Sequence, residues 1–261
     1  MSANPVLLVL DYPGRRPEAH ISEMNLDQSG FDCDYGLQSP LPTALTAAAY
    51  AGELGARQRP DRPLALVAYC ATAPLATAIA GLRPGPAGPL PIVALDPQQT
   101  PPSEIVKEYE DVVRQVEGRA SAAERPPLLD IEQLLATPET LVERIGEDLR
   151  LRARLALAAF GFTGADVVGP VENVVGVYIE WLIFLVSAHY DAQPAARGPI
   201  LQVISQGHPA DADWLGAVDL RTVRIPCERP ELAVNPQARA AVLDFLHEFA
   251  FPATAGTRHG G

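Results

Sequence analysis

One stretch, Leu64–Ala80 (LALVAYCATAPLATAIA), places the tightest constraint on how this chain can fold. It begins with an uninterrupted apolar run, Leu64–Ala68, which is typical of a strand buried on both faces. After Tyr69 and Cys70 the pattern changes at once to an alanine-rich helix with Pro74 in its first turn. The stretch therefore predicts a buried strand that turns directly into a helix, with a cysteine at the corner.

Other segments alternate between strand and helix patterns in the same way. Five runs predict strands: Val6–Leu10, a weaker Tyr35–Gln38, Ile92–Leu95, Ile200–Ser205 and Leu220–Ile225. Two runs predict helices with one apolar side: Leu41–Leu54 and Pro236–Phe249. Strand, helix and strand in this order favour an α/β fold with a mostly parallel sheet and right-handed crossovers.

The alternation stops between the predicted strands Ile92–Leu95 and Ile200–Ser205, where only helical patterns occur. They are Ser103–Val116, Asp130–Leu135, Thr137–Phe160 and Val171–Tyr190, with Ser103 and Thr137 as expected helix starts. We therefore expect a core of residues 1–102 and 193–251, a helical insertion of residues 103–192 and a flexible tail of residues 252–261. The apolar face of the last helix either packs on its neighbours or lines an acyl-binding chamber.

Composition excludes several classes of function. A net charge of −12, from 20 basic and 32 acidic residues, disfavours binding to nucleic acid or to an anionic membrane surface. The three cysteines, Cys33, Cys70 and Cys227, are too few and too scattered for a disulfide framework or a zinc site. The longest apolar run, Val174–Ala188, contains Glu180 and is shorter than the about 20 residues of a membrane span. We expect a cytoplasmic protein without a metal or cofactor.

Three segments together carry a resemblance to a known family. VAYCATAPLATAIA stands where that family has a G-x-S-x-G turn followed by a helix of small residues. IVALDPQQTPP is similar to its strand that ends in the catalytic acid, and LQVISQGHPADADW with VDLRTVRIPCERPELAVNPQARAAVLDFL is similar to its last two strands and closing helix. The chain thus resembles the α/β-hydrolase fold, and more narrowly the thioesterases of polyketide and nonribosomal peptide assembly lines.

The resemblance implies roles for residues around the corner. Cys70 would be the nucleophile, with the backbone N–H of Ala71 and one from Tyr12 as oxyanion donors. The alternative for Cys70 is a small buried side chain without chemistry. Asp96 would orient a base or pair with Arg229, or it would only cap the following segment.

The family's catalytic histidine is missing from its expected place. The family has a V-P-G-D-H-like loop after the last strand, whereas Ile225–Arg229 reads IPCER, so Arg229 takes the position of the histidine. Arginine stays protonated and cannot act as a base, but it could lower the pKa of Cys70. His208, in the loop after a late strand, is the best replacement base; the alternative is a solvated loop histidine.

Two functions follow from this resemblance. The first is a thioesterase-like acyltransferase, cyclase or hydrolase that acts through Cys70 on a polyketide or peptide thioester tethered to an acyl or peptidyl carrier protein. Acyl transfer is favoured over hydrolysis because amine and thiol acceptors need less help from a base than water. Substrate-binding residues would be Arg229, Tyr69, Tyr178 and Trp181, and Arg15–Arg16 would offset the acidic surface for an acidic carrier. The second is a catalytically inactive hydrolase fold kept as a binding or scaffolding protein, which the loss of both glycines and the histidine favours.

Overall fold

The computed structural model describes residues 4–12, 18–38, 40–57, 63–82, 88–118, 126–162, 164–190, 198–209 and 219–250. They form two compact units. The sheet unit comprises the described residues of Met1–Leu41, Ala51–Gln99 and Ala192–Gly261, and the helical unit those of Pro42–Tyr50 and Thr100–Asp191. The predicted tail, residues 252–261, lies outside the described residues.

The sheet unit is built on six parallel strands, which confirms the predicted parallel sheet. They are β1 (Val6–Leu10), β2 (Asp32–Tyr35), β3 (Ala65–Tyr69), β4 (Ile92–Leu95), β5 (Pro199–Ile204) and β6 (Asp219–Arg224). Their order across the sheet is β2-β1-β3-β4-β5-β6. The central strand β3 is buried at every position. The second strand lies earlier than predicted, ending at Tyr35 instead of beginning there, because pairing with β1 decides its register.

Three helices accompany the sheet strands along the chain: α1 (Ala47–Arg57), α2 (Ala73–Leu82) and α7 (Pro236–Ala250). Every residue of α2 from Ala73 to Ala80 is buried. Its small side chains let the helix pack closely on β3 and β4. On the core side of the sheet, α7 contributes Ala238, Val242, Phe245 and Leu246. The corner between β3 and α2 is therefore held from both sides.

The helical unit contains α3 (Pro102–Glu117), α4 (Ile131–Leu134), α5 (Pro138–Ala159) and α6 (Val168–His189). The predicted start of α3 at Ser103 was wrong: Pro101 is the N-cap and Pro102 opens the first turn. Proline suits that turn because its missing N–H would be unpaired there in any case. Thr137 is the N-cap of α5, as predicted.

A buried arginine joins the helices of this unit. The Arg152 side chain is 1 % exposed, and its Nε donates to Asp148 Oδ2 at 2.6 Å. Its other nitrogens bond Glu117 and the carbonyl oxygen of Pro127. The Tyr109 hydroxyl donates to the same Asp148 oxygen at 2.6 Å. Because each buried charge has a partner of opposite sign, the network stabilises the unit as long as it stays complete.

The apolar helix at the end of this unit is longer than the sequence indicated. Gly164–His189 has the length and hydropathy of a membrane span, whereas the prediction from Val174–Ala188 was that no segment is long enough. Half of its most apolar window is buried inside the protein. A helix that packs against neighbours on a broad face needs the same apolar residues as a span, so length and composition do not separate the two.

Candidate active site

The corner between β3 and α2 has the backbone geometry that a nucleophile at such a turn requires. Cys70 has φ +55°, in the left-handed region that residues other than glycine rarely adopt. A short 3₁₀ turn, Cys70–Thr72, leads from the strand into α2. A strained backbone of this kind persists only where its surroundings hold it in place.

Thr72 supplies much of that support. Its side chain is buried, and its hydroxyl accepts the Tyr69 N–H at 2.9 Å. The hydroxyl also lies 2.7 Å from the Leu10 carbonyl oxygen and 2.9 Å from that of Tyr69, either of which can accept its hydrogen. The residue that replaces the family's second glycine thus links the corner to the end of β1.

Arg229 lies directly against the cysteine. Its Nη2 is 2.6 Å from Cys70 Sγ, and its Nη1 is 3.4 Å from Gln98 Oε1. The same amide oxygen is 3.7 Å from Cys70 Sγ, within reach of a weak hydrogen bond from the thiol. Arg229 Nε lies 3.6 Å from Glu18 Oε1, and the guanidinium carbon is 5.9 Å from the centre of the Tyr69 ring. The structure therefore brings together three of the predicted site residues, Cys70, Tyr69 and Arg229.

Burial and charge act in opposite directions on the thiol. Burial raises the pKa of Cys70, while Arg229 and the backbone N–H of Ala71 offset part of the rise and Glu18 adds to it. Burial also raises the pKa of Tyr69 to about 12, against the effect of Arg229. For Arg229, burial by itself would lower the pKa, but Cys70 and Tyr69 outweigh it and the pKa lies above its ordinary value. The guanidinium is thus a permanent cation that favours the thiolate.

Asp96 is placed at the end of β4, but the structure does not show it in either expected catalytic arrangement. It is fully buried with φ +40°. Its Oδ1 accepts the Ser205 N–H at 2.7 Å and its Oδ2 the Ser205 hydroxyl at 2.8 Å. Among the described residues, its carboxylate therefore bonds Ser205 and neither Arg229 nor His208. The physical reason is that β5 ends beside β4 and presents both donors to a carboxylate that water does not reach.

His208 lies at an open cavity of about 600 Å³ in the sheet unit. The polar residues that line it are Gln98, Gln99, Ser205, His208, Glu228 and Arg229. The His208 Nδ1 lies 2.7 Å from the Pro209 carbonyl oxygen, which can only accept, so Nδ1 is the donor in this contact. His208 thus shares a cavity with Arg229, and its role as a base stays a prediction.

The remaining predicted residues lie in several places. Ala71 follows Cys70 in the 3₁₀ turn, and Tyr12 follows β1, which pairs with β3. Tyr178 and Trp181 belong to α6 of the helical unit, where the Tyr178 hydroxyl lies 2.8 Å from Gln115 Oε1 and Trp181 Nε1 lies 3.0 Å from Glu108 Oε2. Their role in substrate binding stays a prediction. Arg15–Arg16 lie outside the described residues.

Sequence reasoning missed three neighbours of the site. Gln98 lies two residues beyond Asp96, so its place after a parallel strand was the available signal. Glu18 comes from the connection after β1 and carried no local signal. His20, which no local pattern marks, has its Nδ1 3.3 Å from Oδ2 of the buried Asp11. Within the described residues, no cluster of three or more His, Cys, Asp or Glu side chains could hold a metal ion.

Comparisons with known proteins give a fold and no closer relationship. No protein-family model matches the chain, and no curated protein matches it. It is similar to the enol-lactonase from Burkholderia xenovorans LB400, with 12 % identity, a TM-score of 0.52, and coverage of 95 % of this chain and 92 % of that one. An acetylester hydrolase from Corynebacterium glutamicum has 12 % identity, a TM-score of 0.47 and coverage of 95 % and 85 %.

A thioesterase domain, that of NocB in covalent complex with a fluorophosphonate nocardicin G analogue, has 14 % identity, a TM-score of 0.43 and coverage of 96 % of both chains. At identities this low, the likeness concerns the fold alone. The sheet order, the corner at Cys70 and the likeness to the lactonase agree. The chain has the α/β-hydrolase fold, as its sequence predicted.

Proposed function

We propose that this protein is an acyl-transfer enzyme that accepts an acyl group from a thioester on Cys70. The observation that carries the proposal is the contact of 2.6 Å between Arg229 Nη2 and Cys70 Sγ at a residue with φ +55°. Cysteine is a strong nucleophile once ionised, and a guanidinium at this distance favours the ionised form.

Thioesters suit this site better than oxygen esters. When a thiolate attacks a thioester, one carbon–sulfur bond forms, another breaks, and the thiolate that leaves is about as stable as the one that entered. When it attacks an oxygen ester, a much more basic alkoxide must leave and a strong acid must protonate it. The arginine in the place of the usual histidine cannot supply that proton at a useful rate. The arginine at that position therefore favours donors whose leaving group needs no strong general acid.

Acyl transfer through Cys70 takes two steps. Cys70 loses its proton, its Sγ bonds the acyl carbon, and the donor leaves as a thiol after taking up a proton. An acceptor amine, thiol, alcohol or water then bonds the acyl carbon, and Cys70 returns as a thiol. The N–H of Ala71, the residue after the nucleophile, would donate to the oxyanion, as in the family that the sequence resembles. The cavity of about 600 Å³ beside Arg229 has the size of an ordinary ligand site.

We infer further that the donor is a polyketide or peptide chain on an acyl or peptidyl carrier protein. The support for this partner is the resemblance of the corner, the Asp96 segment and the closing segment to assembly-line thioesterases. A free thioester and a carrier-bound thioester with the same acyl chain distinguish the possibilities, because a true carrier substrate acylates Cys70 faster at equal concentration.

Intact mass spectrometry tests the proposal. After incubation with acyl thioesters of N-acetylcysteamine, we expect a stoichiometric adduct that disappears in Cys70→Ala. Cys33→Ala and Cys227→Ala are matched controls, because all three cysteines are free thiols. Absence of an adduct over a series of chain lengths would refute the enzyme.

A second function, an inactive hydrolase fold that binds a pathway partner, is favoured by one observation. Both oxygens of Asp96 bond Ser205, so this acid orients no histidine. The same mass experiment separates the two functions, since a scaffold would give no adduct on Cys70.

A further inference from the structure

His20 and Asp11 form a histidine–carboxylate pair in the sheet unit. The Asp11 side chain is 4 % exposed and that of His20 36 %, and His20 Nδ1 lies 3.3 Å from Asp11 Oδ2. Asp11 Oδ2 also accepts the Ile21 N–H at 2.7 Å, which holds the carboxylate against the turn that carries His20. A carboxylate can only accept, so Nδ1 is the donor in this pair, and the neutral imidazole then has its lone pair on Nε2. This is the state in which an imidazole acts as a base.

The register of the sheet places this pair at the same edge as Cys70. Leu10 pairs with Ala68 across β1 and β3, so the next residues, Asp11 and Tyr69, are also neighbours. Side chains alternate along a strand, so Asp11 lies on the same face as Val9, and Tyr69 lies on the same face as Val67. Val9 and Val67 both belong to the core side of the sheet. The Tyr69 ring is the one that lies under the Arg229 guanidinium.

The segment that carries His20 is also bonded to the segment that carries Arg229. The Ala19 N–H donates to the Pro230 carbonyl oxygen at 3.0 Å. One residue earlier, Glu18 pairs with Arg229, whose Nη2 contacts Cys70. The histidine therefore lies on a stretch fixed on one side by Asp11 and on the other by the residues that touch the thiol.

We propose that His20, positioned by Asp11, is the general base and acid of the Cys70 site, in place of the histidine that Arg229 replaces. The inference rests on the proposed function. His20 Nε2 takes the Cys70 proton, directly or through one water, and gives it to the departing thiol. It next takes a proton from the acceptor as the acceptor attacks the acyl carbon, and it returns that proton to Cys70 as the thiol leaves. Asp11 acts through His20 and is a positioning residue.

Other charged groups share this part of the molecule. Glu18 and Glu23 lie on either side of His20, and Arg229 and Glu231 lie on the 3₁₀ segment Arg229–Val234. On α7, the Arg239 side chain donates to the Met24 carbonyl oxygen. The comparison of variants is therefore made at one fixed pH.

Two measurements on the full-length chain test the proposal. The first is the rate at which iodoacetamide alkylates Cys70, which needs no thioester chemistry. Loss of the base in His20→Ala should slow it by about fivefold, equivalent to about 1 kcal/mol. The second is the rate of loss of the acyl adduct, which should fall by about 10²-fold or more, as for other general bases. Added imidazole should restore part of both rates in His20→Ala, which a merely structural role would not allow.

Further variants control the test of His20. His247→Ala, which removes a ring that stacks on Phe31, should leave both rates unchanged. Asp11→Asn should slow both rates while leaving the adduct able to form, and His20→Gln replaces His20→Ala if the latter melts early. Unchanged rates in His20→Ala, or a loss confined to His208→Ala, would overturn the proposal. If alkylation slows but no thioester acylates the wild type, the proposed function fails while the link between His20 and Cys70 stands.

Discussion

Replacing Arg229 by glutamine should sharply reduce the reactivity of Cys70. Nη2 lies 2.6 Å from Sγ, but the positive charge is spread over the whole guanidinium, so the effective separation is about 4 Å. Two unit charges at that distance attract by about 4 kcal/mol at an effective dielectric constant of 20 and by about 1 kcal/mol in water. The Arg229 side chain is 35 % exposed, so we take about 2 kcal/mol as the loss.

That loss converts directly into a rate. Each 1.36 kcal/mol is a factor of ten, so the thiolate fraction of Cys70 at neutral pH should fall by about 30-fold in Arg229→Gln. The second-order rate constant for alkylation by iodoacetamide, followed by intact mass, should fall equally. Burial raises the pKa of Cys70, so the wild-type rate should still increase as pH rises through the ordinary range of thiols, and in the variant this increase should move to higher pH.

Two control variants make the measurement specific. Arg221→Gln removes an exposed arginine that pairs with Glu248 at 2.7 Å, and it should leave the rate unchanged. Arg229→Lys keeps a cation but not the planar fork, so its rate should lie between those of the wild type and Arg229→Gln. An Arg229→Gln protein with a native circular dichroism spectrum and an unchanged alkylation rate would refute the electrostatic reasoning.

Three further predictions concern stability. Arg152→Met should lower the free energy of unfolding by about 3–5 kcal/mol in urea titrations, because it leaves the buried Asp148 carboxylate without its cation. Thr72→Val should cost about 1–3 kcal/mol by the same assay, since the Leu10 carbonyl oxygen loses a donor, whereas Thr72→Ser should retain most of the stability. Burial and nearby carboxylates raise the pKa of Cys33 from 9.0 to about 11. The contribution of this thiol to the free energy of unfolding is therefore complete below pH 9 and is lost as pH rises towards 11. The melting temperature should fall less steeply across that pH range in Cys33→Ser than in the wild type.

Each of these has a result that would contradict it. The first prediction is contradicted if Arg152→Met unfolds at the same urea concentration as Arg144→Met, which removes an exposed ion pair with Glu147. Thr72→Val would have to be as stable as the parent chain. For Cys33→Ser, an equally steep decline above pH 9 would assign the effect to other groups.

The local pattern of the sequence was sufficient for the fold. The apolar run before Cys70 and the small residues after it predict a buried strand that meets a closely packed helix, because only such side chains fit between a sheet and a helix. The same pattern identified Cys70 as the corner, while only the resemblance to the hydrolase family implied that Arg229 takes the place of the histidine. The predicted bounds of β2 were wrong, because this short polar strand takes its register from pairing with β1.

The chemistry of the site depended on contacts between residues far apart in the chain. Cys70 and Arg229 are 159 positions apart, and neither sequence neighbourhood indicates that their atoms meet at 2.6 Å. Ser205 removes Asp96 from its expected arrangement because β5 ends beside β4. No local pattern marks His20, whose Nδ1 lies 3.3 Å from Oδ2 of the buried Asp11. Periodicity reports which side of an element is buried, whereas the partners of a polar side chain depend on where the strands end in space. The sequence by itself therefore determined the fold and the position of Cys70 at the corner between strand and helix, and the tertiary structure decided which groups surround the thiol.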